Sequence, residues 1–229
     1  MRGGGGGGRI LRIAILVAVL IVLLLAIAQV VLPAIASSTI SSRIGRYGKV
    51  SSVTVKAFPA IKLLWGDADS VKVVADELVI TPEQTAALIH EARGANKLDA
   101  RVASLKEGPL RLTTAVLQKR GDRLLAGATI ASSAVEEALP PGVSLKLLES
   151  GEGEVHVRVT GGLFGIGASV DAVGLAEGGN LVARPSGFPL RAVRLTLFAD
   201  PRIEVEGVGA TPASMKATSY RLTMRGRLR

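Results

Sequence analysis

Apolar residues form one long block near the N-terminus and, beyond it, short runs in which apolar and polar residues alternate. No charged residue lies from Ile13 to Ser42, and the twenty residues of Ile13–Leu32 contain Gln29 as their one polar member. A helix of twenty residues rises about 30 Å, which is close to the hydrocarbon thickness of a bilayer. The block therefore predicts a transmembrane helix.

Three arginines, Arg2, Arg9 and Arg12, precede this block. By the positive-inside rule they predict a single-pass protein whose N-terminus is cytoplasmic and whose body is extracytoplasmic. The triplets Ala26–Ala28 and Ala34–Ala36 resemble signal-peptidase sites, so a cleaved, secreted or periplasmic form is the alternative. The block is longer than the roughly 7 to 15 apolar residues of an ordinary signal peptide, which favours a retained anchor.

The chain divides into a basic, glycine-rich cytoplasmic tail at 1–12, a signal-anchor at 13–32 and an extracytoplasmic domain at 33–229. Within the domain, Pro33–Gly45 mixes isoleucine with serine and predicts either a continuation of the anchor helix or a new helix. Because proline disfavours a continuous helix, Pro33 is expected to mark the join between the anchor and this helix.

Beyond residue 50 the alternation has a period of two, as in Val53–Val55, Val155–Val159 and Ile203–Val205, which predicts half-buried strands. Short turns rich in glycine and proline separate many of the runs, so we expect a curved antiparallel meander. Two capping boxes, Thr81–Gln84 and Ser133–Glu136, predict helix starts. The fold class is therefore α+β, in one domain: a transmembrane helix, then a long helix packed on a curved antiparallel sheet.

Charge and composition limit the classes of partner that the protein can bind. Subtracting the three N-terminal arginines from 28 basic residues leaves 25, against 19 acidic residues. A basic extracytoplasmic body suits a membrane surface or acidic envelope polymers rather than nucleic acid. Aromatic residues are only 3% of the chain, too few for the stacking platforms of single-strand binders. The absence of cysteine excludes disulfides and thiolate chemistry.

Catalytic and metal-binding patterns are missing from the sequence. His90 has no second histidine at the spacing of a zinc-protease helix, and no Gly-x-Ser-x-Gly elbow occurs. Asp67 and Asp69 fit a turn, while Glu136 and Glu137 fit the first turn of a helix, where the dipole favours them. We therefore predict a non-enzymatic protein with no catalytic residue, no metal ligand and no cofactor.

The segment Ala57–Gly66 joins two predicted strands and is almost wholly apolar. One interpretation is a core corner, with a kink at Pro59. The other is an apolar mouth that admits acyl chains or dips into the membrane interface, with Trp65 at headgroup depth. The candidate apolar lipid-binding residues are Phe58, Leu63, Leu64 and Trp65.

The last predicted strand has two unlike faces. Leucine and methionine occupy one face, and arginine occupies the other. A cationic face could bind anionic headgroups, or could be a solvated edge that discourages aggregation. The candidate headgroup residues are Arg221, Arg225 and Arg227, to which Arg191 and Arg194 of another predicted strand would add.

Several of these segments together resemble the actinobacterial LmeA-like phospholipid-binding proteins, over roughly Val31 to the C-terminus. The matching segments are Leu32–Ala36, Val53–Val55, Phe58–Gly66, Asp69–Val71, Phe188–Leu190 and Ile203–Val208. The resemblance implies an envelope protein that binds phospholipid between a long helix and a curved sheet, similar to half of a tubular lipid-binding (TULIP-like) domain.

The leading hypothesis is thus a membrane-anchored, extracytoplasmic protein of the cell envelope that binds phospholipid, with lipid transfer as one use of that binding. Its predicted partners are phospholipid and the membrane, with no nucleic acid. A non-enzymatic envelope scaffold that docks other proteins is the alternative.

Overall fold

The computed structural model describes residues 7–108, 110–151, 153–163, 166–186, 193–213 and 218–229. Arg2, Arg191 and the segment Phe188–Leu190 therefore lie outside the described residues. The first described element is one continuous helix, α1 (Gly7–Ile44), which contains Pro33. The continuation of the anchor helix is therefore confirmed, and the expected join at Pro33 is not seen. Proline removes one hydrogen bond of the helical ladder, whereas ending the helix in an apolar stretch would leave several backbone groups unpaired.

After α1 the chain makes a 3₁₀ turn at Gly45–Tyr47 and enters the sheets. A second 3₁₀ helix, Ala60–Trp65, lies within the segment Ala57–Gly66, which we call the tip segment. A third 3₁₀ turn, Ala92–Gly94, follows α2. The remaining elements are β1 (Gly48–Lys56), β2 (Ala68–Val79), α2 (Pro82–Glu91), β3 (Ala95–Glu107), β4 (Leu110–Arg120), β5 (Arg123–Ala131), α3 (Ser132–Ala138), β6 (Val143–Gly151), β7 (Glu154–Leu163), β8 (Ile166–Glu177), β9 (Asn180–Pro185), β10 (Leu195–Phe198), β11 (Ile203–Pro212) and β12 (Ser219–Leu228).

The strands form two sheets, a seven-stranded one in the order β1-β2-β3-β4-β5-β12-β11 and a five-stranded one in the order β10-β9-β8-β7-β6. Among the strands that the structure describes, all neighbours are antiparallel except β2 and β3, which are parallel. The predicted simple meander is therefore wrong at this point. Because α2 carries the chain back along the sheet, β3 starts at the same end as β2.

The smaller sheet grows from the outer edge of β11. The N–H groups of Val205 and Val208 donate to the carbonyl oxygens of Gly179 and Gly153, which lie in two hairpin turns of the smaller sheet, at 2.8 and 2.9 Å. The N–H of Ala210 donates to the hydroxyl of Ser150 at 2.8 Å. These contacts use the backbone groups that an edge strand would otherwise expose.

One face of the larger sheet, which we call the inner face, holds the core. Ala36, Ile40 and Ile44 of α1 recur every four residues and pack on buried side chains of the first strands, which include Val55, Val71, Val73 and Leu98. Ala86 and Ile89 of α2 form a second cluster with Leu124, Ile203 and Leu228. The two helices thus cover different parts of one sheet face.

The two predicted capping boxes have different outcomes. At α2 the box is confirmed: Gln84 N–H donates to Thr81 Oγ1 at 3.3 Å, and Thr81 N–H donates to Gln84 Oε1 at 2.9 Å. The box at Ser133 is wrong, because α3 starts at Ser132 after Ala131 without a side-chain cap. The N–H of Ser132 donates to the carbonyl of Thr218 at 2.9 Å, so the chain turns before Ser133.

A lysine lies within the apolar inner face. Lys119 of β4 is 1% exposed, and its ammonium donates to the carbonyl oxygens of Arg93, at 3.0 Å, and Ala95. Burial lowers the pKa of Lys119. The two carbonyls follow the C-terminus of α2, where the helix dipole is negative, so Lys119 fastens that end of α2 to the sheet.

Candidate membrane-facing site

The N-terminal part of α1 is apolar and uncovered. From Val17 onward the helix is long and apolar enough to cross a membrane, and none of its most apolar window is buried. One N-terminal helix of membrane-spanning length is thereby confirmed. A retained anchor and a signal sequence both fit this description, so retention and orientation stay predictions.

Gln29, the one polar residue of the apolar block, connects α1 to the tip segment. Its Oε1 accepts a hydrogen bond from the N–H of Ala60 at 3.1 Å, and Ala60 is 1% exposed. Further along α1, the hydroxyl of Ser37 accepts a hydrogen bond from Val55 N–H of β1 at 3.1 Å. In the sequence, Gln29 only interrupts the apolar block. A lone polar side chain in an apolar helix is the signal that points to such a contact.

Asp69 holds the other side of the tip segment. Its carboxylate accepts hydrogen bonds from Phe58 N–H at 2.6 Å and from the ammonium of Lys62 at 2.7 Å. The hydrogen bond from Lys62, followed by that from Phe58, holds the pKa of Asp69 below its ordinary value. Asp69 thus stays ionised and fixes the tip segment. This role is more specific than that of the turn residue that the sequence predicts.

The tip segment has its small residues inside and its large apolar residues outside. Ala57 and Ala60 are buried, whereas Phe58, Leu64 and Trp65 are 78%, 66% and 72% exposed. The core-corner interpretation fits Leu63, which packs on the core beneath α1, but not these three side chains. A cluster of exposed large apolar residues on a soluble surface indicates a contact site.

The inner face also has an apolar area that neither α1 nor α2 fully buries. Two neighbouring cross-strand rows carry apolar side chains through the middle of the larger sheet. The partly exposed members, which we call the apolar floor, are Ala100, Val102, Leu117, Ala126, Ala128, Leu222 and Met224. They span strands β3, β4, β5 and β12, a width of about 14 Å at the usual strand spacing.

The three headgroup candidates form a separate surface. Arg221, Arg225 and Arg227 are exposed on the outer face of β12, while Leu222 and Met224 face the floor, as the alternation predicts. Strand β12 lies five strand spacings, about 24 Å, from β1 and the tip segment. The structure therefore does not bring the two candidate sets together. Arg194 pairs instead with Glu177 on the smaller sheet, at 3.6 Å.

Polar and apolar side chains together line a concavity of about 380 Å³ on the smaller sheet. His156 contributes to it and lies 3.6 Å from the Glu154 carboxylate. Asp171 also contributes, but its carboxylate accepts two hydrogen bonds from Arg158, at 2.6 and 2.9 Å, which lower its pKa. Within the described ranges, no three His, Asp or Glu side chains are grouped to hold a metal ion.

The chain matches no protein-family model, no curated protein and no solved structure. The resemblance to LmeA-like proteins and to TULIP-like domains therefore stays a prediction.

Proposed function

We propose that this protein is a membrane-anchored, extracytoplasmic phospholipid-binding protein of the cell envelope that works without catalysis. The observation that supports it is the exposed apolar tip segment, bonded to α1 at Gln29. Gln29 lies three residues, about 4.5 Å, before the end of the apolar block at Leu32. If α1 spans the bilayer, Phe58 and Trp65 lie near its outer interface, the depth at which tryptophan is favoured.

The continuity of α1 supports the same proposal. No flexible linker separates the apolar block from the part of α1 that packs on β1, because a single helix runs from Gly7 to Ile44. The domain is then held at a fixed height on the bilayer rather than on a loose tether. Lipid then replaces water around the apolar side chains of the tip segment.

The apolar floor gives acyl chains a place to bind. Each methylene moved from water onto an apolar surface gains about 0.8 kcal/mol, so partial cover of two acyl chains offsets much of the cost of leaving the bilayer. A lipid that rises past the tip segment would lay its chains on Leu117, Ala126 and Met224. Transfer of that lipid to a partner is one use of such binding.

Photoreactive lipid tests the proposal. The full chain is reconstituted with a phospholipid that carries a diazirine on its acyl chain, and adducts are mapped by mass spectrometry after illumination. We expect adducts on the floor residues Leu117 and Met224 as well as on α1. Ala100→Phe fills the floor and should reduce the floor adducts severalfold. Ala103→Phe, on the exposed outer face of the same strand, is the matched control.

Adducts confined to α1 and the tip segment would overturn the lipid-binding proposal. They would favour the second candidate, an envelope scaffold. The observation behind that candidate is β10, an edge strand of the smaller sheet with Leu195 and Leu197 exposed by 55% and 59%. Such an edge can accept a strand from a partner protein. Protection of the β10 amides from hydrogen exchange by a co-purified protein would support the scaffold.

A further inference from the structure

Basic residues form a row across the outer face of the larger sheet, which Ser70 of β2 interrupts. Lys97 of β3 is paired in register with Arg120 of β4, Arg120 with Arg123 of β5, and Arg123 with Arg227 of β12. Lys56 of β1 joins this row through Ser70 of β2. These five exposed cations, which we call the basic row, span about 24 Å at the usual strand spacing.

This arrangement is unfavourable for the sheet alone, since like charges directly opposite one another on neighbouring strands repel. Acidic side chains relieve only part of it: Asp99 lies 2.7 Å from Arg120, and Glu206 lies 2.9 Å from Arg227. Lys56, Lys97 and Arg123 have no ion pair among the described residues. The row therefore has spare positive charge for an anionic partner.

The depth of the row follows from its link to α1. Lys56 follows Val55, whose N–H donates to the hydroxyl of Ser37. Ser37 lies five residues beyond Leu32, so the row begins about 7.5 Å above the end of the apolar block. The headgroup layer on each side of a bilayer is roughly 5–8 Å deep. Long basic side chains that snorkel from this height reach lipid phosphates.

We propose that the basic row binds the headgroups of anionic phospholipids in the leaflet on which the domain lies. This inference rests on the proposed function, because the contact of the tip segment with the bilayer sets the height of the row. It deepens that function by naming the lipid charge that the domain selects. Arg227, from the predicted headgroup set, belongs to the row, whereas Arg221 and Arg225 lie outside it.

Lipid preference in nanodiscs tests the row. The full chain is reconstituted in phosphatidylcholine with a minor share of phosphatidylglycerol, and its preference for spin-labelled phosphatidylglycerol over spin-labelled phosphatidylcholine is measured. The variant is Lys97→Gln with Arg123→Gln. Arg101→Gln with Arg221→Gln is the control, since both arginines are exposed on the same outer face further from the tip segment and have no ion pair within the described part of the chain.

We expect the preference for phosphatidylglycerol to fall about fivefold for each row cation removed, and to stay within twofold in the control. High salt should weaken the preference of the unmodified protein, because the screening length drops from about 10 Å at 0.1 M to about 3 Å at 1 M. An equal loss in both variants, or no loss in either, would overturn the role of the row. Row-dependent binding of soluble polyphosphate without any lipid preference would also overturn it.

Quenching of Trp65 by brominated phosphatidylcholine, measured in the same nanodiscs, separates the two proposals. If Trp65 is quenched and the lipid preference of the row variant is unchanged, the row proposal fails and the proposed function stands. Trp65 unquenched means that the membrane contact, and the row proposal with it, fails. Trp65 quenched together with row-specific loss supports both.

Discussion

Two substitutions in the tip segment separate membrane contact from membrane anchoring. Phe58→Ser with Leu64→Asp removes two of the three exposed apolar side chains and leaves α1 unchanged. Because these side chains are 78% and 66% exposed, the free energy of unfolding should change by only about 0.5 kcal/mol for each. The variant therefore tests the contact rather than the fold.

The size of the effect follows from the exposed fractions. Complete burial of a Phe or Leu side chain gains about 1.5–3 kcal/mol. Scaled by their exposed fractions, Phe58 and Leu64 each gain about 1–2 kcal/mol on entering lipid. With a similar share from Trp65, the contact is worth about 3–6 kcal/mol. The two substitutions, with up to ~1 kcal/mol for a carboxylate near the interface, remove about 2–5 kcal/mol. Little of the contact should remain.

Trp65 is the only tryptophan of the chain and reports the contact directly. The full chain is reconstituted in vesicles whose lipids carry bromine at different depths. In the unmodified protein we expect strongest quenching by bromines near the headgroups; in the variant this quenching should be lost and quenching by aqueous iodide gained. The control is Val79→Asp with Leu197→Ser, two positions 56% and 59% exposed that lie away from the tip segment.

Two results would refute the reasoning. One is a variant in which bromolipid quenching of Trp65 equals that of the unmodified protein, because the tip segment would then lie in lipid without its apolar side chains. The other is an unmodified protein whose Trp65 is open to iodide and unquenched by any bromolipid.

Two further predictions concern the links that hold the domain together. Gln29→Leu leaves the buried N–H of Ala60 without its acceptor, which costs about 1–3 kcal/mol. The amide hydrogen of Ala60 should therefore exchange with solvent about 5 to 150 times faster. Alkaline extraction should show that the anchor is still inserted in the membrane. Asp200, 8% exposed, accepts hydrogen bonds from Arg202 at 2.8 and 2.7 Å, which hold its pKa below the ordinary value. The stabilisation by ionised Asp200 is therefore full above about pH 4 and is lost as pH falls through the lowered pKa. As the pH is lowered, the Tm of Asp200→Asn should therefore fall less steeply than the Tm of the unmodified protein. Parallel profiles of Tm against pH would contradict this.

The apolar helix, the alternating strands and the capping box of α2 could be predicted from sequence because each depends on residues close together in the chain. A block of twenty residues with one polar member fixes a spanning length, and Thr81 meets Gln84 three positions away. The candidate site was only partly predictable. Trp65 and Leu63 are equally apolar in sequence, yet one is exposed and the other packs on the core, because the bonds from Gln29 and Asp69 set the orientation of the tip segment.

Alternation of apolar and polar residues also fails to predict which way a side chain points where polar residues are consecutive. Gln118, Lys119 and Arg120 give no period of two, so the sequence does not show that Lys119 alone points into the core, where carbonyls beyond α2 receive its ammonium.

By itself, then, the sequence determined the apolar helix, the strand-rich α+β class and the unlike faces of the last strand, since hydrophobic length and period are local properties. The tertiary structure decided the parallel pairing of β2 with β3, the exposure of the tip segment and the basic row. Lys97 and Arg227 stand far apart in the chain, and only the register of the strands between them places both in one line of charge.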